Sequence, residues 1–477
     1  MARIAATALA AVTVAVAAAV ATAVPANGGV DMASTERMAA SLRDAVVITL
    51  ASDCVGACQD RVSASLTARG CTSVEMLPTL RMVNAVCPPV DGASADDVPA
   101  GIPGVLEVDP DELVSNDMGD DAADRKGDIV IPIKDPAGMP YFWGLDRVNQ
   151  HNLPLDKKVG ASCYPNMGKG VDVFVVDSGC LPSHPEFKGV DIRTMALPTS
   201  PFDVAGVDDR GHGSHVAGTV AGWRTGVAPK ARITCVKVLN SEGRGKGSVV
   251  SAGFEHAAAF KAANPNRMVI MQASISGSGK HHDAMAKRMN EVGVIGTVSA
   301  GNKRTTACKY TPARSPDVIT VGNSDLDDSV WRNSNIGRCV DLFAPGHKIL
   351  SVDFRGTLTT KTGTSMSAPH VAGMAALIMS QHPKGASLRM RDVLALLTKD
   401  APMVASYPMA WLSPTCAGMP PPAPMPVPVP TVPVPPPAPP VFPVAPVGPP
   451  TNMPPGMFVG GIPPAGSGAL PQLPPQM

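Results

Sequence analysis

Four short stretches of the chain bring together residue types suited to acyl transfer. The first is Asp177-Ser178-Gly179, a carboxylate at the end of an apolar run beside a tight turn. The second is Gly211-His212-Gly213-Ser214-His215-Val216-Ala217-Gly218, where glycines around His212 permit close backbone approach and a small-residue helix follows. The third, Val298-Ser299-Ala300-Gly301-Asn302, runs from an apolar segment into an amide side chain. The fourth, Gly363-Thr364-Ser365-Met366-Ser367-Ala368-Pro369-His370-Val371-Ala372-Gly373, starts with small and hydroxylated residues and continues apolar through Ile378. It reads as a buried helix with Ser365 at its N-terminus and Pro369 in the first turn, where a missing N–H costs least. Taken singly, each stretch has an ordinary explanation, since Asp-Ser-Gly suits a turn and Ser suits an N-cap. Taken together, they supply what a serine nucleophile requires: a base, a carboxylate to orient it and donors for an oxyanion. His212 and His215 lack the helical spacing of a metalloprotease motif.

Such residues need a scaffold, and the sequence from Tyr141 to about Asp400 has the pattern of one. The apolar runs 171–176, 233–239, 268–271, 294–298 and 318–321 read as buried strands. Helical patterns at 248–263 and 283–292 lie among them. This alternation predicts an α/β fold with a parallel sheet between helices, its sites at the carboxyl ends of strands.

The flanks are different material. Residues 1–26 carry Arg3, an alanine-dominated apolar run and then small residues, the pattern of a secretory signal peptide; a membrane anchor would be richer in Leu, Ile and Phe. Strand-like runs at 45–50 and 104–109 bracket Cys54, Cys58, Cys71 and Cys87. They outline a small α+β domain over 44–114, stapled by two disulfides of open connectivity. Ten cysteines in a secreted chain are expected to pair. Residues 115–140 are polar, with Asp117, Asp120, Asp121, Asp124 and Asp128, and read as an exposed linker open to proteolysis. Residues 417–477 open with Pro420-Pro421-Pro422 and continue in Pro-Val repeats, a disordered polyproline-II-like tail that is either a wall-tethering stalk or a tolerated extension. Lys+Arg and Asp+Glu both number 40, so charge gives no reason to invoke nucleic acid or an anionic membrane surface.

The order Asp177, His212, Asn302, Ser365 agrees with the Asp, His, Ser order of the subtilisin arrangement. These motifs, with Tyr141-Phe142-Trp143-Gly144-Leu145-Asp146-Arg147 and Cys339-Val340-Asp341-Leu342-Phe343-Ala344-Pro345-Gly346, resemble the subtilisin-like serine proteases, in particular the proteinase K branch. The resemblance implies a subtilisin-like three-layer fold over 141–400, preceded by an inhibitory propeptide at 44–114 and a processing linker at 115–140. It implies a secreted, extracellular serine endopeptidase made as a self-inhibited precursor, whose partners are polypeptide substrates and its own propeptide, with cell-wall or matrix contact through the tail. A pseudoenzyme or binding protein that retains its propeptide is the alternative. Carried over by motif, Ser365 is the nucleophile, His212 the general base and then acid, Asp177 its orienting carboxylate and Asn302 an oxyanion donor. Two backbone edges, Ser274-Ile275-Ser276-Gly277 and Gly243-Arg244-Gly245, are implied to pair with an extended substrate. Ser276 stands where relatives usually carry a glycine. Arg244 and Lys246 near the upstream subsites are either a preference for acidic residues or two solvated charges. Cys308 and Cys339 match a family disulfide, whereas Cys163, Cys180, Cys235 and Cys416 have no assigned partner. Catalysis is implied to need no cofactor. Structural calcium is implied at Asp341, helped by carbonyls near Pro316 and Val318, beside the plainer reading of a solvated carboxylate. His281-His282 reads as an exposed loop rather than a metal site, because no matching ligands cluster nearby in the sequence.

Overall fold

In the computed structural model the described residues are 42, 44–88, 94–95, 97–116, 141–157, 164–197 and 206–412. The signal peptide, all but the start of the linker, the proline-rich tail, Cys163 and Cys416 lie outside them.

The N-terminal part is built from β1 (Ala45–Leu50), α1 (Ala57–Ala68), β2 (Thr72–Leu77), β3 (Met82–Val86) and β4 (Val105–Pro110). The four strands form one sheet in the order β2-β3-β1-β4, with β1 antiparallel to both neighbours. Every residue of β1 is buried, because both faces of the sheet are covered. Val46, Ile48 and Leu50 pack with Val62 and Leu66 of α1, whereas the intervening Val47 joins a second core with the body of the protein. Disulfides Cys54–Cys58 and Cys71–Cys87 supply the two expected staples.

A short strand, β5 (Leu113–Ser115), follows. The body then runs through α2 (Trp143–Asn149), β6 (Val171–Asp177), β7 (Ile192–Ala196), α3 (His212–Ala221), β8 (Arg232–Lys237), β9 (Arg244–Lys246), α4 (Gly247–Ala263), β10 (Met268–Ala273), α5 (His281–Val292) and β11 (Ile295–Ser299). It continues with β12 (Ile319–Ser324), β13 (Leu342–Pro345), the hairpin β14 (Ile349–Val352) and β15 (Leu358–Lys361), then α6 (Thr364–Gln381) and α7 (Met390–Thr398).

Seven of these strands form the expected parallel sheet, in the order β13-β12-β11-β10-β6-β8-β7. From the central β6–β10 pair the chain proceeds outward through β11, β12 and β13 on one side, while on the other β8 lies between β6 and the edge strand β7, so the order reverses at β6, whose carboxyl end is the topological switch point. β6 shows why its sequence is apolar throughout: Val171, Val173 and Val175 face a core shared with α3 and α6, while Phe174 and Val176 face a core shared with α4 and α5. Burying each such side chain contributes about 1.5–3 kcal/mol. The α6 sequence is apolar on all sides for the same reason, being buried over most of its length.

Candidate active site

The site begins at the carboxyl end of β6, where Asp177 is fully buried. Asp177 Oδ1 accepts from the Ser178 N–H at 2.7 Å, and its two oxygens lie 2.8 and 2.9 Å from His212 Nδ1. A carboxylate on Nδ1 fixes the tautomer with the proton on that nitrogen and the lone pair on Nε2. Nε2 is itself buried and has no hydrogen-bond partner among the described residues.

His212 opens α3, and the turn before it is held by Asp208, a residue the sequence reading did not single out. Asp208 accepts from the N–H groups of Gly211 and Ser214 at 2.8 Å and from the Ser178 hydroxyl at 2.8 Å. It therefore neutralises the unpaired donors of the helix start and ties them to the strand bearing Asp177. A Cβ at Gly213 would run into the Gly179 carbonyl, so glycine is required for that approach. The nearby His215 turns its Nε2 to the Ile349 carbonyl at 2.9 Å, and burial holds it well below the usual imidazole range. The two histidines thus serve different partners.

Ser365 is the second residue of α6 and 2 % exposed. Pro369 is not in the first turn, as expected from the sequence, but sixth in the helix. Without an N–H it leaves the carbonyl four residues back, that of Ser365, without its helical donor. The Ser274 hydroxyl supplies the missing bond at 2.9 Å and accepts in turn from Gln272 Nε2 at 2.7 Å. Ser274, predicted on a substrate edge, is fully buried, and its side chain positions Ser365.

Asn302 is brought to the start of α6 by the loop after β11. Its Oδ1 accepts from the Thr364 N–H at 2.9 Å and from the Thr364 hydroxyl at 3.0 Å, while that hydroxyl accepts from the Gly301 N–H at 3.0 Å. Two donors on Oδ1 define the orientation of the amide, leaving Nδ2 as its donor end. Gly363, at φ 152°, sits beside it, and a Cβ there would lie 3.3 Å from Nδ2. Buried Asn335 braces the loop from behind, donating to the Ala300 carbonyl at 2.8 Å and accepting from the N–H groups of Lys303 and Thr305. Thr364 and Asn335 were missed in the sequence because their roles lie in contacts across 30 or more residues.

The two predicted substrate edges flank residues 113–116. β5 pairs antiparallel with β9, setting Leu113 opposite Lys246, Val114 opposite Gly245 and Ser115 opposite Arg244. On the other side Ser115 exchanges bonds with Ser276, at 3.1 Å to the Ser276 carbonyl and 2.8 Å from its N–H. The Asn116 N–H donates to Gly243 at 3.0 Å. Val114 is buried in the same core as Ile275 and Leu239. Gly277, expected to continue the edge, exchanges both backbone bonds with Thr311 instead. Ser115 and Asn116, read as the start of an exposed linker, are thus strand-paired and held on both sides. Arg244 is exposed, whereas Lys246 lies near the Asp111 carboxylate of the N-terminal part.

Further contacts anchor that part to the body. Glu255 accepts from Thr79 and Leu80 at 3.0 and 2.8 Å, and Asp111 accepts from the Ser248 N–H at 2.9 Å. Glu112 accepts from the N–H groups of Ser278 and Gly279. Burial pushes the Glu112 carboxyl up, but hydrogen bonds from His282 and Ser278 outweigh it and bring it down to about 2. His281 and His282 are not an exposed loop: both are fully buried in the first turn of α5, against the N-terminal part that covers them.

Asp341 accepts from the Thr320 N–H at 2.7 Å, and burial pushes its carboxyl up to about 6. It is a hard oxygen donor, which fits a calcium ligand. Cys308–Cys339 forms as the resemblance implied, and Cys180 pairs with Cys235, which sequence could not assign. Among the described residues, no helix is long and apolar enough to cross a membrane.

The chain has relatives among proteins named as serine proteinases. The chain is 37% identical over 261 residues to the alkaline serine exoprotease A of Vibrio alginolyticus, covering 54% of this chain and 47% of that one. It is 38% identical over 263 residues to the extracellular serine proteinase of a Thermus species, covering 54% and 61%. It therefore spans about half to three fifths of the length of these relatives. A cold-adapted subtilisin-like serine proteinase known from its crystal structure matches with 35% identity and a TM-score of 0.49, over 56% of this chain and 96% of that one. The model of the subtilase family matches residues 168–410, just over half of the sequence, and the chain belongs to that family.

Proposed function

We propose that the protein is a secreted serine endopeptidase made as a self-inhibited precursor. The observation that carries this reading is the buried Asp177–His212 pair, with an unpartnered lone pair on Nε2, at the start of a helix that shares its core with the helix whose second residue is Ser365. In the reaction Ser365 Oγ attacks the carbonyl carbon of a peptide and its proton passes to His212 Nε2. Negative charge developing on the carbonyl oxygen is met by Asn302 Nδ2 and by the Ser365 N–H, which lies in the first turn of α6 and has no intrahelical acceptor. His212 then gives its proton to the leaving amine, and water releases the acyl group by the reverse route. Asp177 keeps the imidazole in the required tautomer throughout.

Residues 44–116 are the inhibitor in this reading. The antiparallel pairing of 113–116 with both edges is the pairing an extended peptide substrate would make, which supports it. An extracellular location is supported by the signal-like residues 1–26, by the paired cysteines and by the name of the Thermus relative. Asp341, with the carbonyls of Pro316 and Val318, is the proposed calcium site; calcium would stabilise the fold and takes no part in the chemistry. The proline-rich residues 417–477 are proposed to contact cell wall or matrix.

A fluorophosphonate probe tests the central claim. It should label the mature wild-type protein covalently and fail to label Ser365→Ala; equal labelling of the two would rule out Ser365 as the nucleophile.

A further inference from the structure

The buried start of α5 is the place where the described residues leave the most polar atoms without a partner. Both ring nitrogens of His281, Nε2 of His282 and Oδ2 of Asp109 are buried and make no hydrogen bond. Native interiors rarely leave an imidazole wholly unsatisfied, as His281 is here; the tilted His282 ring, 4.1 Å away, meets Thr311 and Glu112 through Nδ1 but leaves Nε2 without a partner. One ligand atom from each of His281, His282 and Glu112 lies within 4.8 Å of the other two. Asp109 Oδ2 stands 3.9 Å from His281 Nδ1, and Glu112 Oε1 stands 3.2 Å from His282 Nδ1. The Glu112 carboxylate is already oriented by the N–H groups of Ser278 and Gly279, as metal-bound carboxylates are by their outer hydrogen bonds.

We propose that Glu112, His281 and His282, with Asp109 as the fourth donor, form a zinc site that clasps residues 44–116 to the body of the protein. Two imidazoles and two carboxylates are the mixed nitrogen and oxygen set that zinc takes in tetrahedral geometry, and a poor set for calcium or magnesium. With zinc bonds of about 2.0–2.2 Å, the ligand atoms of Glu112, His281 and His282 must close inward by about 1 Å, and Asp109, now 3.9 Å from His281 Nδ1, must turn toward them. The carboxylates come from the N-terminal part and the imidazoles from α5, so the ion is complete only while both are present. Glu112 stands next to β5 in the chain, and the ion therefore pins the strand that occupies the substrate edges.

The binding itself does not depend on the proposed hydrolysis; only its role as a clasp does. The test uses the full chain with Ser365→Ala, stripped by a chelator and titrated with zinc chloride by calorimetry. One zinc per chain is expected, with affinity falling at least tenfold in Glu112→Gln and in His281→Gln. Glu112→Gln keeps an acceptor for Ser278 and Gly279, so it should fold, which near-ultraviolet circular dichroism checks. Cobalt in place of zinc should give the intense visible bands of a tetrahedral site, absent in Glu112→Gln. No saturable binding, or binding unchanged by both variants, would overturn the site. In the wild type, zinc should slow appearance of the mature chain; an unchanged rate alongside intact binding would overturn the clasp.

Discussion

Ser274→Ala tests how the serine of α6 is held. The substitution removes the donor to the Ser365 carbonyl and the acceptor for Gln272 Nε2, both in fully buried surroundings. Each buried polar group left unsatisfied costs about 1–3 kcal/mol, so about 2–6 kcal/mol is at stake. Part of this is recoverable if water enters the space left by the hydroxyl. Ser365 would also be freer to shift, and a displacement of about 1 Å lowers turnover about 100-fold. The decisive measurement is a double-mutant cycle with Pro369→Ala. That change restores an N–H four residues after Ser365, so the helix itself can serve the carbonyl. Urea unfolding and kcat/KM on a chromogenic peptide should both show Ser274→Ala to be milder in the Pro369→Ala background, with a coupling of about 1–2 kcal/mol. Strict additivity would refute the argument, because it would mean that Ser274 does not replace the bond that proline removes.

Asn302→Ala should fold and bind peptide but lose about 100- to 1,000-fold in kcat, read by steady-state kinetics; a rate within a few fold of wild type would remove Asn302 as an oxyanion donor. In the proposed precursor, the pairing of Ser115 with Ser276 bears on where processing occurs. Residues 113–116 occupy both edges, so N-terminal sequencing should find a mature chain that starts beyond Asn116 in wild type and an unprocessed chain in Ser365→Ala. Millimolar calcium should raise the melting temperature of wild type by several degrees and leave Asp341→Asn unmoved; equal responses would place calcium elsewhere.

Period and composition made the sheet legible, because a strand buried on both faces has to be apolar throughout, and 171–176 could be little else. The motifs were legible for a related reason: Asp177, His212, Asn302 and Ser365 are flanked by glycines and small residues that only close backbone approach requires. What stayed hidden were the residues that act at long range on backbone rather than on substrate. Thr364 sets the Asn302 amide, Asn335 braces its loop and Ser274 repairs a proline, and nothing local to any of them announces its partner. His281-His282 failed in the opposite direction. Polar and adjacent, the pair reads as surface, and only the N-terminal part folding over it makes it interior. The burial of those rings therefore depends on 44–116 staying in place. In the proposed maturation, departure of that part would return the histidines to water, so the polar defect would belong to the precursor alone.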